Sequence, residues 1–123
     1  MKILALDTSS RYGSLALCEQ GEVVAEYSTA GLLNQSEHLL PLLRRILSDV
    51  QWSLASLDAF AVVLGPGSFT GVRIGIATAQ GLSLATGRPA IGISSLHALA
   101  LGVPYSRYPI CPALDARKGE LYT

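Results

Sequence analysis

The chain is poor in charge: charged residues make up 15% of its 123 residues, and nine Lys and Arg balance nine Asp and Glu. Proteins that hold phosphate backbones by charge are usually basic, so this balance disfavours stand-alone nucleic-acid binding. Half of the residues are hydrophobic, which excludes global disorder because such a chain can bury a core. So little charge on so apolar a chain also suggests that another polypeptide covers part of its surface.

Cysteine and histidine, the usual ligands of structural metals, are scarce. The two cysteines, Cys18 and Cys111, are far apart and lie in strand-like apolar runs, so we expect two buried, reduced thiols. The two histidines, His38 and His97, have no second ligand three or four residues away. We therefore expect no metal site in this chain.

Long apolar runs and targeting signals are also missing from this sequence. No stretch reaches the roughly 18 uninterrupted apolar residues that a membrane span needs, and residues 1–6 lead straight to Asp7 without a secretory signal. These features predict a cytoplasmic protein with no membrane partner.

Hydrophobic periodicity predicts a mixed α/β fold. Residues 2–7, 13–18 and 22–28 are expected to form an antiparallel meander of three strands, and two further strands, 59–64 and 90–93, lie between helices at 38–50, 71–86 and 95–101. This order predicts a mixed five-stranded sheet with helices on both faces.

The last part of the chain is expected to belong elsewhere. Residues 104–109 are linker-like, and two strands, 110–116 and 120–123, follow them. We therefore divide the chain into a first lobe, 1–108, and the beginning of a second lobe, 109–123. Because residues 120–123 end inside strand-like sequence, we expect the chain to be part of a longer protein.

Two polar loops could carry chemistry. Asp7, Thr8 and Ser9 follow the first strand, where a carboxylate and hydroxyls can support Mg²⁺ through water and donate to phosphate oxygens. Alternatively, these side chains satisfy the amides of a β-turn. The second loop, residues 65–70, connects a buried strand to a helix whose first amides favour anions, but it lacks the GK[ST] ending of a Walker loop. Its other interpretation is a tight connection between strand and helix.

Small residues recur every four positions along the helix that follows the second loop. One row is Gly71, Gly75, Ala79 and Ser83, and a second row is Ala77, Gly81 and Ala85. Each glycine inside a helix costs about 0.5–1 kcal/mol relative to alanine, which close backbone packing can offset. The packing partner is either the sheet of the same domain or another chain. We predict that the first row pairs with another chain, with Phe69, Val72 and Leu82 adding apolar area.

Four sequence blocks resemble those of the TsaB (YeaZ) family, a relative of the catalytic TsaD proteins once described as glycoproteases. The blocks are ILALDTSS (residues 3–10), SEHLLPLL (36–43), GPGSFTGVRIG (65–75) and LDARKGELY (114–122). The resemblance implies an actin-like, RNase H-like fold of two lobes. It also implies a role in tRNA modification, in which TsaD, with ATP and TsaE, transfers a threonylcarbamoyl group to the adenosine next to the anticodon.

The family's role for such a chain is that of a non-catalytic platform that binds TsaD. The resemblance then implies no catalytic residue and no metal ligand here, with Leu42 standing where a second ligand four residues after His38 would lie. ATP and metal are expected in the partner complex, to which a TsaE-type ATPase and tRNA also belong. The free chain is expected to form a homodimer. The alternative is an actin-like-fold ATPase or a peptidase of the glycoprotease type.

Two sets of residues are carried over from the family. Asp7, Thr8 and Ser9 match the first phosphate-binding loop of the actin-like fold, but Ser9 stands where that fold usually has glycine, which makes the loop degenerate. The second set matches the family's pairing surface and comprises Phe69, Gly71, Val72, Gly75, Ala79, Leu82 and Ser83.

Overall fold

The computed structural model describes residues 1–30 and 35–123 of the chain. Its elements are β1 (Lys2–Asp7), β2 (Tyr12–Glu19), β3 (Glu22–Ala30), α1 (Gln35–Asp49), β4 (Ala59–Val63), α2 (Phe69–Thr86), β5 (Ala90–Ile93), α3 (Ser95–Leu101), β6 (Leu114–Arg117) and β7 (Glu120–Tyr122). The predicted elements are all present, with ends shifted by a few residues. The largest shift is at β6, because residues 110–113 are not a strand; Pro112 lies there and cannot donate to a ladder.

Five strands form one mixed sheet in the order β3-β2-β1-β4-β5, which confirms the predicted fold class. β1 and β3 pair antiparallel with β2, whereas β4 pairs parallel with β1 and with β5. The meander thus forms one half of the sheet, and the two strands that follow helices extend it from β1. This order brings the carboxyl ends of β1 and β4, each followed by a polar loop, to the same edge.

One face of the sheet carries the hydrophobic core. Leu4 in β1 stands opposite Leu17 of β2 and Phe60 of β4, and all three are fully buried. Both long helices pack on this face and contribute core residues, which are Leu39, Leu43, Ile46 and Leu47 from α1 and Ala79 and Leu82 from α2.

The two long helices, α1 and α2, cover the same face of the sheet. Each joins two parallel strands, β3 to β4 and β4 to β5, and both connections run in the same direction across the sheet. Right-handed crossovers with the same direction place their helices on the same side. The short α3 contributes one buried residue, Ser95.

β6 and β7 form a separate two-stranded antiparallel sheet and pair with none of the five strands of the first sheet. This agrees with assigning residues 109–123 to another unit, although the division into two lobes itself stays a prediction. Among residues 1–30 and 35–123, no helix has both the length and the apolar character to cross a membrane.

Candidate functional site

The loop that follows β1 uses its polar groups internally. Asp7 accepts two hydrogen bonds through Oδ1, from the backbone N–H of Ser9 at 2.8 Å and from its hydroxyl at 2.7 Å. Ser9 is only 6% exposed. The carboxylate and the hydroxyl therefore close a tight turn, as in the second of the two interpretations of this loop.

Thr8 fastens this loop to the start of α2. Its side chain is buried, and its hydroxyl donates to the carbonyl oxygen of Gly71 at 2.6 Å. The backbone N–H of Ser68 donates to the carbonyl of Ser9, also at 2.6 Å, and the Ser68 hydroxyl caps the helix by accepting from Gly71 N–H at 3.2 Å. The two polar loops are thus packed on each other.

This contact explains three glycines of the GPGSFTGVRIG block. A Cβ added at Gly67 would collide with the backbone of Ser9, and one at Gly71 would fall on the carbonyl oxygen of Thr8. A Cβ at Gly75 would lie 2.5 Å from the hydroxyl oxygen of Thr8 and 3.3 Å from Val62 Cγ2. These positions have no room for a side chain, because Gly67 and Gly71 lie against the backbone of residues 8 and 9 and Gly75 lies against the side chains of Thr8 and Val62.

The first small-residue row, predicted to pair with another chain, faces the inside of the domain. Gly71, Gly75 and Ala79 are buried against the chain's own sheet, and Leu82, 8% exposed, joins the same core. Val72 and Ser83 are half-buried, and the Ser83 hydroxyl donates to the carbonyl of Arg88 at 2.6 Å. Of the seven predicted partner-binding residues, only Phe69 is well exposed. The first small-residue row serves this domain's core, which corrects its assignment to an interface.

The opposite side of α2, here called the outer face, comprises Phe69, Arg73, Ala77, Gln80, Gly81 and Leu84. All of them are exposed, Phe69 to 75% and Leu84 to 88%. A Cβ at Gly81 would meet nothing within 4 Å. The second small-residue row, with Ala77 and Gly81, therefore faces outward between two large apolar side chains.

Sequence reasoning missed Arg73 and Leu84 as members of this surface. A usable signal was present, because Arg73 is the only charged residue of α2 and an unpaired cation is expected to face solvent. Leu84 follows Arg73 by three turns and so lies on the same side.

A cleft of about 1000 Å³ lies between the two polar loops, α3 and the β6–β7 hairpin. Its lining includes Asp7, Arg11, Phe69, Asp115, Arg117 and Tyr122. Asp115 is engaged within its own segment, because its Oδ1 accepts from the backbone N–H of Arg117 at 2.7 Å. The cleft is large enough for a small-molecule ligand, but the carboxylates of Asp7 and Asp115 each close a local turn.

The remaining ligand-type residues lie apart from one another. In the part of the chain that the structure describes, no three His, Cys, Asp or Glu side chains gather as possible metal ligands. Cys111 is exposed, contrary to the expectation of burial, since the segment before β6 packs on no core element. Cys18 is half-buried, and burial, followed by the negative charge of Glu26, raises the pKa of its thiol.

Comparisons with known proteins agree on one family. Residues 31–123 match the family model described as TsaD, tRNA N6-adenosine threonylcarbamoyltransferase. The chain is 41% identical to the tRNA threonylcarbamoyladenosine biosynthesis protein TsaB of Escherichia coli over 99% of its own length and 53% of the relative's. It is also 40% identical to a tRNA N6-adenosine threonylcarbamoyltransferase of Solidesulfovibrio magneticus, over 93% of this chain and 35% of that protein.

Solved structures give the same result. A protein described as similar to the peptidase YeaZ from Pseudomonas aeruginosa superposes with a TM-score of 0.86 at 35% identity, over 98% of this chain and 56% of that one. The chain thus spans about half the length of the TsaB and YeaZ proteins that it matches. With the mixed sheet, the packed loops and these similarities in place, we conclude that the chain belongs to the TsaB (YeaZ) family of tRNA threonylcarbamoyladenosine biosynthesis proteins.

Proposed function

We propose that this chain belongs to a non-catalytic platform subunit that binds a TsaD-type catalytic subunit and supports threonylcarbamoyl transfer to the adenosine next to the tRNA anticodon. The observation that carries the proposal is the outer face of α2, where Phe69 and Leu84 are exposed on either side of Ala77 and Gly81. Small residues permit a second helix to approach closely, and the two large side chains add apolar area at about 25 cal/mol per Å² buried.

The hydrogen bonds within the polar loops support the non-catalytic part of the proposal. Asp7, Thr8 and Ser9 are engaged in hydrogen bonds within the chain, and Ser9 stands where the related fold usually has glycine. Because the hydroxyl groups of Thr8 and Ser9 already donate to partners within the chain, they are not free to donate to a phosphate. We therefore place the ATP and metal chemistry in the partner complex rather than in this chain.

The same outer face is proposed to form a homodimer in the free protein, because an exposed apolar patch without its partner can pair with itself about a two-fold axis. A TsaE-type ATPase and tRNA would join through the complex, and such a tRNA-modifying assembly would work in the cytoplasm. The second candidate, an ATPase or a glycoprotease-type peptidase, is favoured by the cleft beside Asp7 and Asp115.

The test uses the full-length protein with its TsaD-type and TsaE-type partners. Leu84→Glu should abolish TsaD binding and the gain in tRNA modification, because a carboxylate would be buried in the interface. Leu101→Glu is the matched control: Leu101 is 63% exposed on α3 and does not belong to the outer face, so the variant should behave as wild type.

The protein alone should hydrolyse neither ATP nor a casein substrate. Turnover by the protein alone, lost on Asp7→Asn, would replace the platform with the enzyme alternative. Equal TsaD binding by wild type and Leu84→Glu would show that the docking surface lies elsewhere.

A further inference from the structure

Arg73 is the only charged side chain of the 18-residue helix α2. It lies one turn after Phe69, with its guanidinium carbon 5.2 Å from the centre of the phenyl ring, and both side chains are exposed. A cation held against an exposed aromatic ring is an arrangement common at the energetic centres of protein interfaces.

The stability of the fold does not explain why residue 73 is an arginine. A cation near the amino end of a helix is on the unfavourable side of the helix dipole. Across residues 1–30 and 35–123, the single ion pair joins Lys2 to Glu19, at the end of the sheet opposite the two polar loops. No carboxylate of the described residues is therefore paired with Arg73. Packing does not need it either, because α2 contacts the sheet through its glycine and alanine side.

From these observations we propose that Arg73 sets the specificity of the outer face, by pairing with a carboxylate on the helical surface of the TsaD-type subunit and by making self-pairing weaker than pairing with that subunit. This inference rests on the proposed function, since it assumes that the outer face is the docking surface. A protein partner fits better than RNA, because phosphate backbones are held by several cations together and the outer face has one among neutral and apolar residues.

Symmetry makes the homodimer of the free protein the weaker of the two complexes. A two-fold dimer uses the same patch twice, so it brings two Arg73 side chains into one interface while α2 supplies no acid to neutralise them. A TsaD-type relative is 40% identical to this chain over 93% of its length, so it contains a segment of the same kind that can replace the second copy. The proposal places a carboxylate on the helical face of that segment. Discrimination then comes from repulsion in one complex and attraction in the other.

The test compares Arg73→Glu, Arg73→Lys and the control Arg107→Glu in the full-length protein. Arg107 is exposed in the segment between α3 and β6, so the control makes the same charge change away from the outer face. Association with the TsaD-type subunit is measured by biolayer interferometry at 50 and 300 mM NaCl, and self-association by sedimentation equilibrium. Arg73→Glu should weaken TsaD binding at least about tenfold at low salt, mainly through the association rate, and Arg73→Lys should retain most of it.

Three results would overturn the inference. If Arg73→Glu binds TsaD as wild type does, with the same salt dependence, while Leu84→Glu does not bind, the docking face stands and the role of Arg73 is wrong. If Arg73→Glu leaves the TsaD affinity unchanged but weakens tRNA binding by the complex, the cation serves phosphate instead. Loss of TsaD binding by Arg73→Glu and not by Arg107→Glu, with self-association unchanged because two glutamates repel each other as two arginines do, would support it. If neither Leu84→Glu nor Arg73→Glu alters binding, the docking face itself is misplaced.

Discussion

At Gly71 the distance between α2 and the loop that follows β1 is set by one carbonyl oxygen. The hydroxyl of Thr8 reaches the Gly71 carbonyl, and the Thr8 carbonyl occupies the place where a side chain at residue 71 would begin. Gly81, ten residues later in the same helix, has open space at the corresponding position. Packing therefore requires glycine at residue 71, whereas Gly81 lies on an exposed surface where a side chain would fit.

Substitution by alanine should separate these two cases. Gly71→Ala should lower the free energy of unfolding by about 1–3 kcal/mol, because the new methyl group forces the helix away from the sheet. Gly81→Ala should raise it by about 0.5–1 kcal/mol, because alanine favours the helix and meets no neighbour. Urea denaturation of both variants gives the measurement. Equal stability of Gly71→Ala and wild type would mean that α2 does not approach β1 as closely as described.

At the scale of elements, β3 and α1 are joined by a hydrogen bond outside the core. The phenol of Tyr27 donates to a carboxylate oxygen of Asp49, and the guanidinium of Arg45 lies 5.9 Å from the tyrosine ring. The hydrogen bond to Asp49, with smaller contributions from burial and from the carboxylate charge, raises the pKa of Tyr27 above its ordinary value of 10.0. The link therefore depends on the proton of the phenol.

This dependence predicts a pH effect with a definite sign. A group whose pKa is higher in the folded than in the unfolded state stabilises the fold fully below its ordinary pKa, and the contribution disappears as the pH rises through the folded value. The stability difference between wild type and Tyr27→Phe should therefore be constant from pH 7 to 9 and shrink above pH 10. Chemical denaturation at each pH measures it. A difference that persists unchanged at pH 11 would contradict the hydrogen bond as its source.

At the scale of the whole molecule, the two sheets share no strand. The segment between α3 and β6 is exposed throughout residues 101–111, and it includes Arg107. Since the five strands of the first sheet lie before this segment, the sheet and its core do not depend on an unbroken connection to β6 and β7.

Limited proteolysis tests this independence. Trypsin should cut after Arg107 before it cuts within the sheet, and the nicked protein should keep its circular dichroism spectrum and most of its thermal stability. Arg107→Gln should remove this first cleavage and is the control for the site. A cooperative loss of structure on cutting at Arg107 would mean that residues 109–123 are an integral part of the first lobe.

The sequence alone was sufficient for the elements, for a mixed five-stranded sheet and for the family. The short apolar runs of β1, β2 and β4, bounded by turn residues, indicate strands, and the four sequence blocks carry the family resemblance. Only the tertiary structure decided which side of α2 faces inward. This helix has small residues on two sides and apolar ones all round, so its pattern fits burial of either row. The carbonyl oxygen of Thr8, 63 residues away, selects the row that begins at Gly71, because a backbone contact requires glycine and leaves no trace in periodicity.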